Sequence, residues 1–268
     1  MIKTRTMSIT SGKGGVGKRT LVYNLALGMA EQGKRVLILD GDLGMGNIDI
    51  MFGVRSRGSI YDVINGNAEL SEVLTELHPN IQLIPGGSGV YGLHDLSIHQ
   101  KQLVLDQVEA LEGQFDLLLI DTAPGIADNV LYLNSASEEI VIVLTPEPTS
   151  LADAYALIKV LNQRQGEKKF SVIANMVRDE REALLAFQRL SDVASRFLYV
   201  SLDFKGFVPM DLNLRQAIKS QQLILKSCAS SPSAMAIRDL AKKISNSQAF
   251  YEPKGGLQFF WRHLSGVA

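Results

Sequence analysis

Short, unbroken apolar runs alternate with amphipathic stretches along most of this chain, and that alternation limits what it can fold into. A strand apolar at every position, rather than at every second one, needs cover on both faces, which helices supply in parallel sheets. The runs fall at 6–10, 35–40, 81–84, 115–121, 140–145 and 170–175, with a weaker one at 204–208. Helical patterns occupy 17–32, 100–111, 151–163, 179–197, 212–221 and 233–247. Strand and helix in turn predict an α/β fold, a doubly wound and mostly parallel sheet flanked by helices, with ligands at the carboxyl ends of the strands. No internal repeat or low-complexity linker interrupts the pattern, so 1–250 is expected to form one domain, followed by a hinge and amphipathic tail at 251–268.

Composition removes several classes of function. A chain of 268 residues, 46% of them hydrophobic, buries a sizeable core. Its net charge of -1 gives no general attraction for polyanions, and DNA is not an expected partner. Cys228 is the one cysteine, which excludes a disulfide or a thiolate metal cluster within the chain and fits a reducing cytoplasm. His94 and His99, the close histidine pair, lack ordered acidic or cysteine partners, so no metal is expected there. The start, MIKTRTMSIT, has no apolar stretch of signal-peptide length, and no run approaches the roughly 20 apolar residues of a membrane span. The expectation is a cytoplasmic chain whose tail decides whether it meets a membrane.

The stretch GKGGVGKRT, residues 12–20, joins a strand to an amphipathic helix, which is the setting a phosphate-binding loop requires. Gly12, Gly14, Gly15 and Gly17, with Val16 between them, allow successive backbone N–H groups to turn inward on phosphate oxygens. The helix start near Gly17 adds its positive end, and Lys18 can reach the β- and γ-phosphates. Arg19 stands where a Ser or Thr hydroxyl on Mg²⁺ is expected. Thr20 does not replace that hydroxyl, being turned by about 100° along the helix. Losing one ligand weakens Mg²⁺ placement, while a guanidinium supplies charge in its stead. Nucleotide binding is therefore expected to survive better than hydrolysis.

Other strand ends carry the carboxylates such a loop needs. Asp40 and Asp42 close the second apolar run ahead of a glycine-rich stretch, suited to Mg²⁺, mainly through water, and to a water near the γ-phosphate. Asn47 and Asp49 fall in that same switch-like stretch. LLLIDTAPG places Asp121 at a strand end, with Gly125 free to let the next loop respond. Taken singly, each carboxylate also reads as an ordinary turn or cap.

Lys13 in GKGGVGKRT, together with VLILDGDLGMGNIDI, LLLIDTAPGIADNV, VIVLTPEPTS, VIANMVRDE and VPMDLNLRQAI in this order, resembles the deviant Walker-A ATPases of the MinD/ParA class over nearly the whole chain. The running sequence looks most like their FlhG/FleN flagellar-number branch. The resemblance implies a P-loop NTPase fold, ATP and ADP as ligands with Mg²⁺, and cleavage of ATP to ADP and phosphate. It implies an ATP-dependent homodimer in which Lys13 reaches the partner's phosphates, and a role for Asp42 in positioning the attacking water. Asn175, Pro209 and Asp211 match positions that contact adenine in the family. A protein partner in flagellar or polar machinery is implied as well.

The tail, YEPKGGLQFFWRHLSGVA, sets Leu257, Phe260, Trp261 and Leu264 on one helical face beyond a Pro/Gly hinge. Such a face suits the inner surface of the cytoplasmic membrane, and MinD and its flagellar relatives carry an amphipathic targeting tail at this place. Packing back onto the domain, or into a partner, remains the alternative. Two other functions stay open: a ParA-like DNA-partitioning ATPase, and a nucleotide-sensing pseudo-ATPase in which Arg19 impairs turnover.

Overall fold

The computed structural model describes residues 3–42, 53–86, 97–246, 254 and 256–264. Eight strands make one sheet: β1 (Arg5–Thr10), β2 (Val36–Gly41), β3 (Thr75–His78), β4 (Ile81–Ile84), β5 (Leu117–Thr122), β6 (Glu139–Leu144), β7 (Lys169–Val177) and β8 (Ser201–Pro209). Their order is β3-β4-β2-β5-β1-β6-β7-β8, parallel throughout except for β3 against β4. This is the expected doubly wound sheet. The apolar runs are unbroken because β1, β2, β5 and β6 lie inside the sheet and are buried on both faces.

Among the described residues the helices are α1 (Lys18–Ala30), α2 (Ile60–Ile64), α3 (Leu70–Val73), α4 (Ile98–Glu109), α5 (Asp128–Ala136), α6 (Pro148–Gln165), α7 (Glu180–Leu198), α8 (Leu212–Lys219), α9 (Ile224–Ser227), α10 (Pro232–Asn246) and α11 (Gly256–Leu264). On one face Leu21 and Leu25 of α1 and Ile237 and Leu240 of α10 bury against Met7, Ile9 and Ile38. On the other, Val104 of α4 and Leu133 of α5 cover Leu37, Leu118 and Ile120, while α6 and α7 cover β6 and β7. Each such side chain contributes roughly 1.5–3 kcal/mol of burial.

Boundaries shift where polar residues take part. Helix α4 starts at Ile98 because Ser97 caps it, accepting from the Gln100 N–H at 3.3 Å. Strand β6 starts one residue early, at the fully buried Glu139, whose charge is met by Arg5, by Lys205 Nζ at 3.3 Å and by the Ser171 hydroxyl at 2.7 Å. Strand β3 and helices α2, α3, α5 and α9 do not figure in the sequence expectation.

The tail helix α11 packs on the domain, against α4 and α5 and across to β1. Leu257, Phe260 and Trp261 are buried in the same cluster as Val108, Leu118 and Leu133. Lys254 leads into this helix with its Nζ 2.6 Å from Glu167 Oε1 and 3.0 Å from the Ser135 carbonyl. His263 Nε2 lies 3.0 Å from the Ser135 hydroxyl. Of the alternatives for the tail, packing on the domain is the one this conformation holds; the side chain of Leu264 lies outside the described residues. No helix among the described residues is long and apolar enough to cross a membrane.

Candidate functional site

Register brings the carboxyl ends of the central strands level. Asp40 of β2 sits beside Asp121 of β5, and Ile9 of β1 sits beside Asp121 from the other side. The loop 11–17 leaves β1 above this row and enters α1 at Lys18. Gly15 and Gly17 have φ of +80° and +82°, the left-handed region that glycine enters without penalty. Gly17 is the N-cap and provides no side-chain bond, and the first turn of α1 has no acidic residue, so its N–H groups and dipole stay open to an anion.

The loop is fixed from below and from both sides. Val16 is buried, and its carbonyl accepts from Asn175 Nδ2 at 2.7 Å. Gly12 lies against α6 so closely that a Cβ would stand 2.1 Å from the Asp153 carbonyl oxygen. Gly14 faces Pro124 at 3.8 Å from where its Cβ would be. Gly125, with φ +97°, donates its N–H to the Ser11 carbonyl at 2.9 Å, tying the loop after β5 to the loop after β1.

Two cations share the carboxylates. Lys18 is nearly buried; its ammonium lies 2.6 Å from Asp121 Oδ1 and also donates to the Thr122 carbonyl. Arg19 donates from Nη2 to Asp42 Oδ2 at 2.9 Å, and its Nε stands 3.6 Å from Asp121 Oδ2. That second Asp121 oxygen is buried and accepts no hydrogen bond. Asp40 Oδ1 accepts from the Asp42 N–H at 3.1 Å. Burial, and next the charge of Asp121, push the Asp40 carboxyl up to about 7. The carbonyl of Thr20 accepts from Asn24, one turn further into α1.

These residues do not suit a tightly held divalent ion. Position 19 offers a cation where an oxygen ligand is needed, and that cation already lies on Asp42 and near Asp121. Among the described residues no group of three His, Cys, Asp or Glu is placed to hold a metal. A nucleotide phosphate meets no such conflict, since the loop offers N–H groups, Lys18 and Arg19 together.

The comparisons with known proteins match the fold over nearly the whole chain. The AAA_31 family model, an AAA domain, matches residues 4–174. The antiactivator FleN of Pseudomonas aeruginosa is 36% identical over 264 residues, covering 98% of this chain and 94% of that protein. The chain belongs to the MinD/ParA class of P-loop ATPases, in its FlhG/FleN branch. The flagellum site-determining protein YlxH of Helicobacter pylori is 33% identical over 268 residues, with coverage of 97% and 90%. The septum site-determining protein MinD of Pyrococcus horikoshii, solved with Mg-ADP, superimposes with a TM-score of 0.70 at 26% identity, over 91% of this chain and 96% of that one.

In this MinD/ParA-type ATPase the remaining sequence candidates are spread over three places. Lys13 Nζ bonds Glu147 Oε2 at 2.8 Å and Thr149 Oγ1 at 2.9 Å at the start of α6. Asn175 and Pro209 are brought to one sheet end, Asn175 beside Val208 and Val177 beside Pro209. Asp211 caps α8 through the Asn213 N–H at 2.8 Å and accepts from the Ser233 hydroxyl at 2.7 Å. Asn47 and Asp49 lie outside the described residues. Sequence reasoning missed Thr122, Glu147 and Thr149; their neighbours Asp121 and Pro146 carry the motif signal, and side-chain direction is what a motif does not give.

Proposed function

We propose that this chain is an ATP-dependent, dimerising switch that associates reversibly with the inner face of the cytoplasmic membrane and regulates flagellar number or placement. The observation that carries the reading is the convergence of 12–18, with Lys18, Asp40 and Asp121, at the carboxyl ends of the central strands. Similarity over nearly the whole chain to the antiactivator FleN and to a flagellum site-determining protein supplies the biological setting. ATP and ADP are the ligands. Mg²⁺ is present with ADP in the Pyrococcus MinD relative; here Asp40, Asp42 and Asp121 would hold it at most weakly, through water, because Arg19 already lies on Asp42. A flagellar or polar protein is the expected partner.

Membrane residence follows from the tail in this reading. Leu257, Phe260 and Trp261 leave their seat on α4 and α5 to enter lipid, which makes a single tail a marginal anchor. Two tails in one dimer gain avidity of about 10²–10⁴. The test is sedimentation of the full chain, alone and with anionic liposomes, in ATP, ADP or no nucleotide. ATP is expected to raise both the mass and the bound fraction. If ATP changes neither, the switch reading is wrong.

Arg19 favours one second reading. With the guanidinium seated on Asp42, which the resemblance assigns to the attacking water, the chain would sense ATP without cleaving it. Turnover equal to that of Arg19→Thr would dismiss this reading.

A further inference from the structure

We propose that Arg19 is the resident cation of this site, and that the chain binds nucleoside di- and triphosphates without a divalent metal. The inference rests on the nucleotide reading above and deepens it by naming the form of nucleotide taken.

The geometry begins with a charge balance. Asp42 and Asp121 are each faced by a protein cation, Arg19 Nη2 at 2.9 Å on Asp42 and Lys18 at 2.6 Å on Asp121. Arg19 Nε approaches the remaining Asp121 oxygen at 3.6 Å, and that oxygen is fully buried with no hydrogen bond of its own. A guanidinium thus spans the two carboxylates that otherwise serve a dication. A metal entering here must displace a fixed, permanently charged group from half-buried surroundings. No exchange of protons can help, because arginine stays charged at any working pH.

The same guanidinium is placed for phosphate. It is the second residue of α1, on the helix end whose N–H groups carry no cap, and it is next to Lys18. Arginine binds phosphate through paired N–H donors, so it replaces both the charge and part of the positioning that a metal supplies. In this structure those donors rest on Asp42. When nucleotide enters, they pass to a phosphate oxygen and Asp42 is released. The ligand in this scheme is the free polyphosphate, and added Mg²⁺ competes with Arg19 for it.

The experiment is calorimetric titration of the full chain with ATP and with ADP, in EDTA and in MgCl₂, for the natural sequence, Arg19→Thr and Arg19→Lys. The natural chain is expected to bind each nucleotide in EDTA at least as tightly as in MgCl₂. Arg19→Thr should bind metal-free nucleotide about 10–100-fold more weakly, the worth of a lost charge-assisted bond, and should regain affinity in MgCl₂. Arg19→Lys should fall between them, having charge but no fork. Loss of nucleotide by the natural chain in EDTA, with binding in MgCl₂, overturns this inference alone, and needs no variant to fold. Equal metal-free affinity of the natural chain and Arg19→Thr also overturns it. Failure of the natural chain to bind in either buffer overturns the nucleotide reading too.

Discussion

At the Asp40 carboxyl, burial and then the Asp121 charge outweigh the Asp42 N–H and the Arg19 charge, setting it at about 7 rather than its ordinary 3.8. The folded state therefore holds a proton that the unfolded state has lost between these two values. By linkage the stability is full below the unfolded value and falls as pH rises through the window, by about 4 kcal/mol at most. Urea midpoints of nucleotide-free protein should drop from pH 5 to pH 8, and Asp40→Asn should remove most of that slope. A midpoint that rises with pH would exclude this account of Asp40. Gly12 is the second residue with a sharp consequence. Its virtual Cβ meets backbone of α6, which cannot rotate away, so Gly12→Ala should cost about 1–3 kcal/mol or more in denaturant melts and move the loop off its strand. An unchanged midpoint would mean that α6 yields.

Helix α11 turns an amphipathic pattern into core. Trp261 is 2% exposed and meets Phe260 edge to face, so Trp261→Ala should destabilise the whole domain by about 3–5 kcal/mol by chemical denaturation. A loss below about 1 kcal/mol would mean the seat is empty in solution. The long elements were readable because their periods are uniform: β2, β5 and β6 are unbroken apolar runs, and α7 is strongly amphipathic. Helix α5 escaped because Asn134 and Ser135 interrupt its apolar pattern while being buried, Asn134 accepting from Ser8 at 2.8 Å and donating to Thr10 at 3.2 Å. Strand β3 escaped because four residues at a sheet edge carry too little alternation to stand out. The glycines and Lys18 were legible as a loop, since strand, turn and helix are contiguous. The partners of Lys13 and Arg19 were not, because they come from other strand ends that only the fold brings near. Tail docking was equally hidden, since one apolar stripe fits lipid, a groove or its own domain.

For the whole molecule, Lys13 links the nucleotide loop to the start of α6. Its hydrogen bond and charge hold the Glu147 carboxyl below the usual range, at a site open to water. In the dimer reading Lys13 must leave Glu147 to cross to the other subunit. Glu147→Ala should then favour the ATP-bound dimer, moving its midpoint in sedimentation to lower protein concentration by no more than about fivefold, since exposed pairs are weak. A shift to higher concentration would show that Glu147 supports the dimer.

Helix α5 joins the nucleotide loop to the seat of the tail. It begins three residues after Gly125, whose N–H is tied to Ser11, and it ends at the tail's seat, where Ser135 meets Lys254 and His263. Nine helical residues rise about 13 Å, and Asn134 bolts the far end to β1. Mechanically this is a short strut with one pinned end. A push on the segment after β5 has little slack to dissipate in, so it arrives either as rotation about Asn134 or as strain on the two Ser135 contacts that keep the tail parked.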